Sequence, residues 1–198
     1  GQKGREEGLK KLMTVNLLKR LESSVEAFRL TLGRIEKITD TTLGQVMHGS
    51  SIVSADDDDL ELDVDDPDDA ELSSFLIGGG LRIALSDIDT ESWNHDLTHD
   101  LGVLRELLDD VRRVIPDRDL KLRRLLKVIE DKIDNPLNPG NHKVLIFSAF
   151  ADTADYLYRQ LSPVLAGRGL ETAIITGSSH GVHTTLGTGF NAPEAMSL

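Results

Sequence analysis

His95 and His99 stand four residues apart, with Asp96 and Asp100 beside them. On a helix that spacing puts both imidazoles on one face, the arrangement of a metal-ligand pair. The pair lacks an obvious third ligand and the glutamate that follows the first histidine of a zinc-protease helix, so two solvated histidines are expected. The run Asp56–Asp59 suggests a cation loop but has neither the central glycine nor the closing glutamate of a calcium hand. Gly78-Gly79-Gly80 precedes a strand-like stretch instead of leading from a strand into a helix, and no Gly-Lys-Ser/Thr follows. A flexible turn is expected there, not a phosphate loop. Ser148 and the run Thr176-Gly177-Ser178-Ser179 remain. Each follows a strand-like run, and hydroxyls with backbone N–H groups at strand ends suit phosphate oxygens. A plain strand-to-loop turn uses the same residues, and both readings stand.

The composition narrows the chemistry. The 198 residues suit one domain or slightly more. There is no cysteine, which excludes disulfides, thiolate zinc sites and cysteine nucleophiles, and fits a reducing compartment. No apolar run is long enough to span a membrane, and the start, GQKGREEGLKKL, lacks the apolar centre of a signal peptide. A cytoplasmic protein with no membrane partner is expected. Its first residue is Gly1 and not Met, as in a processed or excised piece.

The net charge of −12 comes from one place. Residues 56–71 hold eleven acids and no base; the rest of the chain carries 23 acids against 22 bases. Residues 1–37 are basic, with nine Lys or Arg against five Glu. A polyanion partner is therefore compatible with the acidic total. The acidic block has too little apolar surface to offset its ordering entropy, so residues 50–77 are expected to be a loop or disordered insertion. A sharper reading has it mimic nucleic-acid phosphate and fold back on a basic face.

The elements that position these residues follow from periodicity. Leu18, Leu21, Val25, Phe28, Leu32 and Ile35 recur at spacings of three and four, which predicts one amphipathic helix face. Gly33 is expected to fray its end. Leu81, Ile83 and Leu85 alternate as in a short strand. Trp93, Leu97, Leu101, Leu104, Leu108 and Val111 predict a helix over 91–115, capped by Asp89, Thr90 or Ser92 and stopped by Pro116. Asp117 or Asp119 is expected to cap the next helix, with Leu122, Leu125, Leu126, Ile129 and Ile133 on its inner side. Lys143–Phe147 (KVLIF) reads as a strand buried on both faces of a parallel sheet. A helix capped by Asp152 or Thr153 follows, and then a second strand over Thr172–Thr176. Strand, helix, strand implies a right-handed crossover with its ligand at the strand ends. The expected class is α/β. Helical segments fill 1–49 and much of 78–140, and a partial sheet lobe fills 141–198.

Three stretches in this order carry a resemblance: LLKRLESSVEAFRLTL (17–32), the run from Asp117 to Ile133, and KVLIFSAFADTADYLYRQL (143–161) followed by Ile175-Thr176-Gly177. Together they resemble the Swi/Snf-type superfamily-two helicase ATPases, in particular large bacterial and archaeal members. The resemblance implies the inter-lobe helices and the opening βαβ unit of the second RecA-like lobe of a motor that clamps ATP and Mg between two lobes and tracks along duplex DNA. It implies that Ser148, Thr176, Gly177 and Ser178 touch the DNA backbone, with Lys19 and Arg20 facing the same cleft or the solvent. The departures matter. There is no G-x-x-x-x-G-K-[ST] loop, no Walker-B pair and no late arginine-bearing motif; Arg168 is the last arginine. The tail from Gly181, with His183, does not read as the lobe's next strand and helix. The chain alone is therefore expected to hold neither ATP nor a metal and to lack catalysis, with the rest of the parent helicase as its partner. A non-enzymatic nucleic-acid or protein binding module with a self-masking acidic loop is the second expectation. A small α/β domain of the receiver kind, matched by chance, is the third.

Overall fold

A computed structural model of the chain describes residues 2–49, 52–53, 83–177 and 182–185. Most of the acidic block's insertion, Gly78–Gly80, Ser178, Ser179, His180 and the tail from residue 186 lie outside the described residues. Helix dominates. The order is α1 (Gln2–Ser23), α2 (Val25–Met47), β1 (Ile52–Val53), β2 (Ile83–Ala84), α3 (Thr90–Arg112), α4 (Leu120–Asp134), α5 (Ala151–Ala166), β3 (Ala173–Ile175) and β4 (Val182–Thr184). Short 3-10 turns at Leu85–Asp87 and Pro116–Arg118 join β2 to α3 and α3 to α4.

The helix starts are written locally. Asp89 accepts from the Ser92 N–H at the start of α3. Asp119 accepts from the N–H groups of Lys121 and Leu122 at the start of α4. Each satisfies donors that have no partner within the helix. The expected helices therefore form, α3 ending at Arg112, three residues short of the expected 115, and α4 starting after Asp119. Pro116, expected to stop α3, sits four residues beyond its end and opens the 3-10 turn.

The N-terminal seam is different. Ser24 is extended (φ −156°, ψ 152°) and its hydroxyl accepts from the Ala27 N–H, so it caps a new helix in the middle of the expected one. The break shifts the phase. Phe28, Leu32 and Ile35 are buried on α2, but Leu18 and Leu21 are exposed on α1, where Asn16 and Arg20 are buried in their place. Gly33 does not end the helix, which runs on to Met47.

Two apolar clusters hold the helices together. Phe28 and Leu32 of α2 meet Leu108 and Val111 of α3. Leu122 and Ile129 of α4 meet Tyr156, Leu161 and Leu165 of α5. Tyr156 donates its hydroxyl to Asp119 Oδ2 (3.0 Å), so the carboxylate that caps α4 also ties it to α5.

The expected parallel sheet is absent among the described residues. Lys143–Phe147 forms no strand, and β3 pairs antiparallel with β4, with Ile174 opposite His183. Only six residues separate β3 from β4 in the chain, so their pairing has a small loop-closure cost, whereas a parallel partner requires a longer crossover. β1 and β2 form a second antiparallel pair, Ile52 opposite Ala84. No described helix is long and apolar enough to cross a membrane.

Candidate functional site

The polar groups converge where α1 ends, α2 begins and α5 begins. Arg20 is fully buried there. Its Nε donates to Asn16 Oδ1 (3.2 Å), one helical turn back, and its Nη1 lies 3.4 Å from Asp152 Oδ2. The guanidinium carbon sits 4.8 Å from the centre of the Phe150 ring, a cation–π stacking distance. Arg34 of α2 reaches the same carboxylate with both Nη atoms, at 2.9 and 3.3 Å. One carboxylate at the start of α5 thus joins α1 and α2, and its negative charge also suits the positive end of the helix dipole.

Beside this pair lies a cluster of hydroxyls. Thr153 Oγ1 is 2.8 Å from Ser23 Oγ and 2.9 Å from Ser24 Oγ. Ser148 Oγ is 3.4 Å from Ser23 Oγ, accepts from the Phe150 N–H and donates to the Phe150 carbonyl. Asp152 and Thr153, expected as caps of α5, instead stand inside its first turn and bond to other helices. The residue at the cap position is Phe150, whose side chain makes no capping hydrogen bond. Lys121 Nζ donates to the carbonyls of Glu22 and Ser23, closing the C-terminus of α1 from the α4 side.

The sequence-derived site residues are therefore separated. Arg20 is withdrawn from the surface: a guanidinium with no solvent exposure, held by Asn16 and Asp152, presents nothing to a DNA backbone, so its expected role is corrected to a structural one. Lys19, the neighbouring residue on α1, is exposed. Ser148 lies beside the Arg20 junction, and its hydroxyl is engaged by its own backbone in the plain turn geometry. Thr176 and exposed Gly177 follow β3, whose partner is β4, so no parallel strand end sets them next to Ser148. Ser178 lies outside the described residues. His95 and His99 are exposed on α3, and His95 Nδ1 is 3.4 Å from Asp96. Among the described residues, no group of three or more His, Asp or Glu is placed to hold a metal ion.

Four helix starts among the described residues carry the chain's own polar side chains. The N-termini of α2, α3 and α4 are each closed by the chain's own Ser24, Asp89 or Asp119, and Asp152 places a negative charge at the start of α5. A helix N-terminus cradles phosphate only when its N–H groups are open to it.

One feature escapes a motif-based reading. Residues 112–127 carry seven bases (Arg112, Arg113, Arg118, Lys121, Arg123, Arg124 and Lys127) against Asp117 and the buried Asp119. All seven basic residues are exposed. This is a denser cationic stretch than residues 1–37, and a sliding charge count locates it without any structure.

Comparison of the chain with protein-family models, with curated proteins and with solved structures finds no match.

Proposed function

We propose that the chain is the inter-lobe helical region and the opening of the second RecA-like lobe of an ATP-dependent DNA helicase or translocase of the Swi/Snf type. The observation that carries this reading is the run Lys143–Phe147. Leu145 is 82% exposed and Phe147 89% exposed, and Val144 and Ile146 beside them are also open to water. Burying one such side chain is worth about 1.5–3 kcal/mol. A contiguous apolar run left in water, leading straight into Ser148 and α5, fits a strand whose neighbours belong to a larger sheet. In the proposed parent, those neighbours are the remaining strands of the second lobe.

On this reading the junction at Arg20, Asp152 and Arg34 fixes the opening helix of the lobe to the inter-lobe helices. ATP and Mg bind to motifs elsewhere in the parent, and no step of the chemistry falls on this chain. Lys19, Ser148, Thr176, Gly177 and Ser178 remain proposed DNA-backbone contacts. Determining the coding sequence on both sides of these 198 residues tests the reading. A phosphate loop with an Asp-Glu pair upstream and an arginine-bearing motif downstream are the expected result. Stop codons flanking the stretch, with no such motifs, would overturn it.

The second reading is a non-enzymatic binding module whose acidic segment covers its own basic surface. The separation of eleven acids in 56–71 from seven exposed bases in 112–127 favours it. Deleting 56–71 and comparing duplex DNA affinity across salt concentrations distinguishes a masked surface, which binds more tightly after the deletion, from an unmasked one.

A further inference from the structure

We infer that the exposed face of α4, with Arg123, Arg124 and Lys127 at its centre, is a docking surface for the phosphate backbone of duplex nucleic acid. The inference extends the motor reading, since it names a DNA contact that the resemblance does not supply.

The geometry starts from helical spacing. Leu120, Arg123, Arg124 and Lys127 fall at i, i+3, i+4 and i+7, so they form one stripe about 10 Å long. The opposite side of the helix is anchored by Leu122 and Ile129 in the cluster with Tyr156, Leu161 and Leu165. The stripe thus points away from the core, and the four residues line one shallow surface groove whose other end is lined by Leu126, Glu130, Asp131 and Asp134.

Charge selects the partner. Arg123, Arg124 and Lys127 have no ion pair among the described residues. This contrasts with Arg112 and Arg113, which pair with Asp109 and Asp110 on the preceding helix. Farther along the groove, Asp134 is already taken by Arg168. Three exposed cations without a carboxylate partner among the described residues, in a protein with a net charge of −12, make the Leu120 end of the groove locally positive, while Glu130, Asp131 and Asp134 bound it at the other end. Long flexible side chains of this kind neutralise phosphates and release counterions.

The form of the nucleic acid follows from what α4 lacks. No Phe, Tyr or Trp occurs between Leu120 and Asp134, so the face has no ring on which an unpaired base could stack. A regular double-stranded backbone read by charge is the ligand that fits. Arg118 in the preceding turn is exposed and extends the cationic surface along the chain toward α3.

The test uses the whole 198-residue chain, a fluorescein-labelled 20-base-pair duplex and anisotropy titrations between 50 and 200 mM KCl. The variants are Arg123→Gln/Arg124→Gln/Lys127→Gln together, Lys19→Ala/Ser148→Ala together, and a deletion of 56–71. Circular dichroism verifies that each keeps its helix content. Loss of three phosphate contacts should weaken binding at least tenfold at 100 mM KCl and reduce the salt slope by about 3. Binding that appears only after deletion of 56–71, and is then lost in the triple variant, also supports the surface and identifies the acidic segment as its cover. Binding that the triple variant leaves unchanged, but that Lys19→Ala/Ser148→Ala weakens, overturns the α4 surface and leaves the motor reading intact. No binding by the wild-type chain or the deletion variant overturns the α4 surface as well. Preference for single-stranded over duplex DNA would contradict the backbone argument.

Discussion

Arg20 and Asp152 are 132 positions apart in the chain and meet at 3.4 Å, the first fully buried and the second mostly so. The pair is asymmetric. Asp152 has a second cation in Arg34, at 2.9 Å. Removing the acid takes a carboxylate partner from a fully buried guanidinium; removing the base leaves the acid paired with Arg34.

Asp152→Ala is therefore expected to destabilise the fold by about 2–3 kcal/mol. Arg20→Met fills similar space without a charge and should cost no more than about 1 kcal/mol. Urea denaturation of the two variants measures the difference. Equal losses would show that Asp152 does not act through Arg20.

Tyr156 carries the clearest pH signature. Burial pushes its phenol well above the usual value of 10, and the hydrogen bond to Asp119 adds to the shift. An acid whose folded pKa is raised keeps its proton in the native state while the unfolded chain releases it. Its contribution to stability is thus complete below pH 10 and declines as the pH rises above 10. Tyr156→Phe should flatten that decline, and at neutral pH should cost about 1–2 kcal/mol because Asp119 Oδ2 loses its buried donor. Absorbance at 295 nm, followed against pH in the wild type and the variant, checks the assignment. A Tyr156 that ionises near pH 10 in the folded chain contradicts it.

Leu145→Ser/Phe147→Ser separates two views of residues 143–147. If these side chains are exposed, the double variant should unfold within about 0.5 kcal/mol of wild type and stay soluble at higher concentration. Were they packed in a sheet, each truncation would cost about 2–5 kcal/mol. The same substitutions made in a complete parent motor are expected to show the larger loss, because there the neighbouring strands cover the run.

The isolated chain should turn over no ATP, with or without duplex DNA. Coupled-enzyme assays measure this at micromolar protein. Turnover that co-purifies with the chain and responds to DNA would sink the assignment of the nucleotide site to other parts of the parent.

Much of the helical framework is legible in the chain. The period of Leu101, Leu104, Leu108 and Val111 predicts α3, and Asp89 and Asp119 announce the starts of α3 and α4, because a cap and its recipients lie within three residues of each other. The periodic seam from Leu18 to Ile35 misleads for a related reason. Periodicity is indifferent to Ser24, whose short side chain caps α2 and resets the phase. Arg20 gives no sign of burial, since a charged residue between leucines ordinarily faces water. The candidate site was legible only as residue types: Ser148 is found beside the Arg20 junction, while the cationic stripe on α4 is visible as a charge count and not as a motif.

The sequence by itself determined that helices follow residue 89, the short lists of candidate caps that include Asp89 and Asp119, and the opposed charges of 1–37 and 56–71. All of these depend on neighbours within a turn or two. The tertiary structure alone decided that Asp152 neutralises a buried Arg20, that Thr153 bonds to Ser23 and Ser24, that β3 takes β4 as its partner and that Lys143–Phe147 stays in water. The physical reason is separation along the chain. A local pattern states which face of a segment is apolar or charged, whereas the partner that meets that face is chosen by packing, for Asp152 and Thr153 with segments more than a hundred residues away.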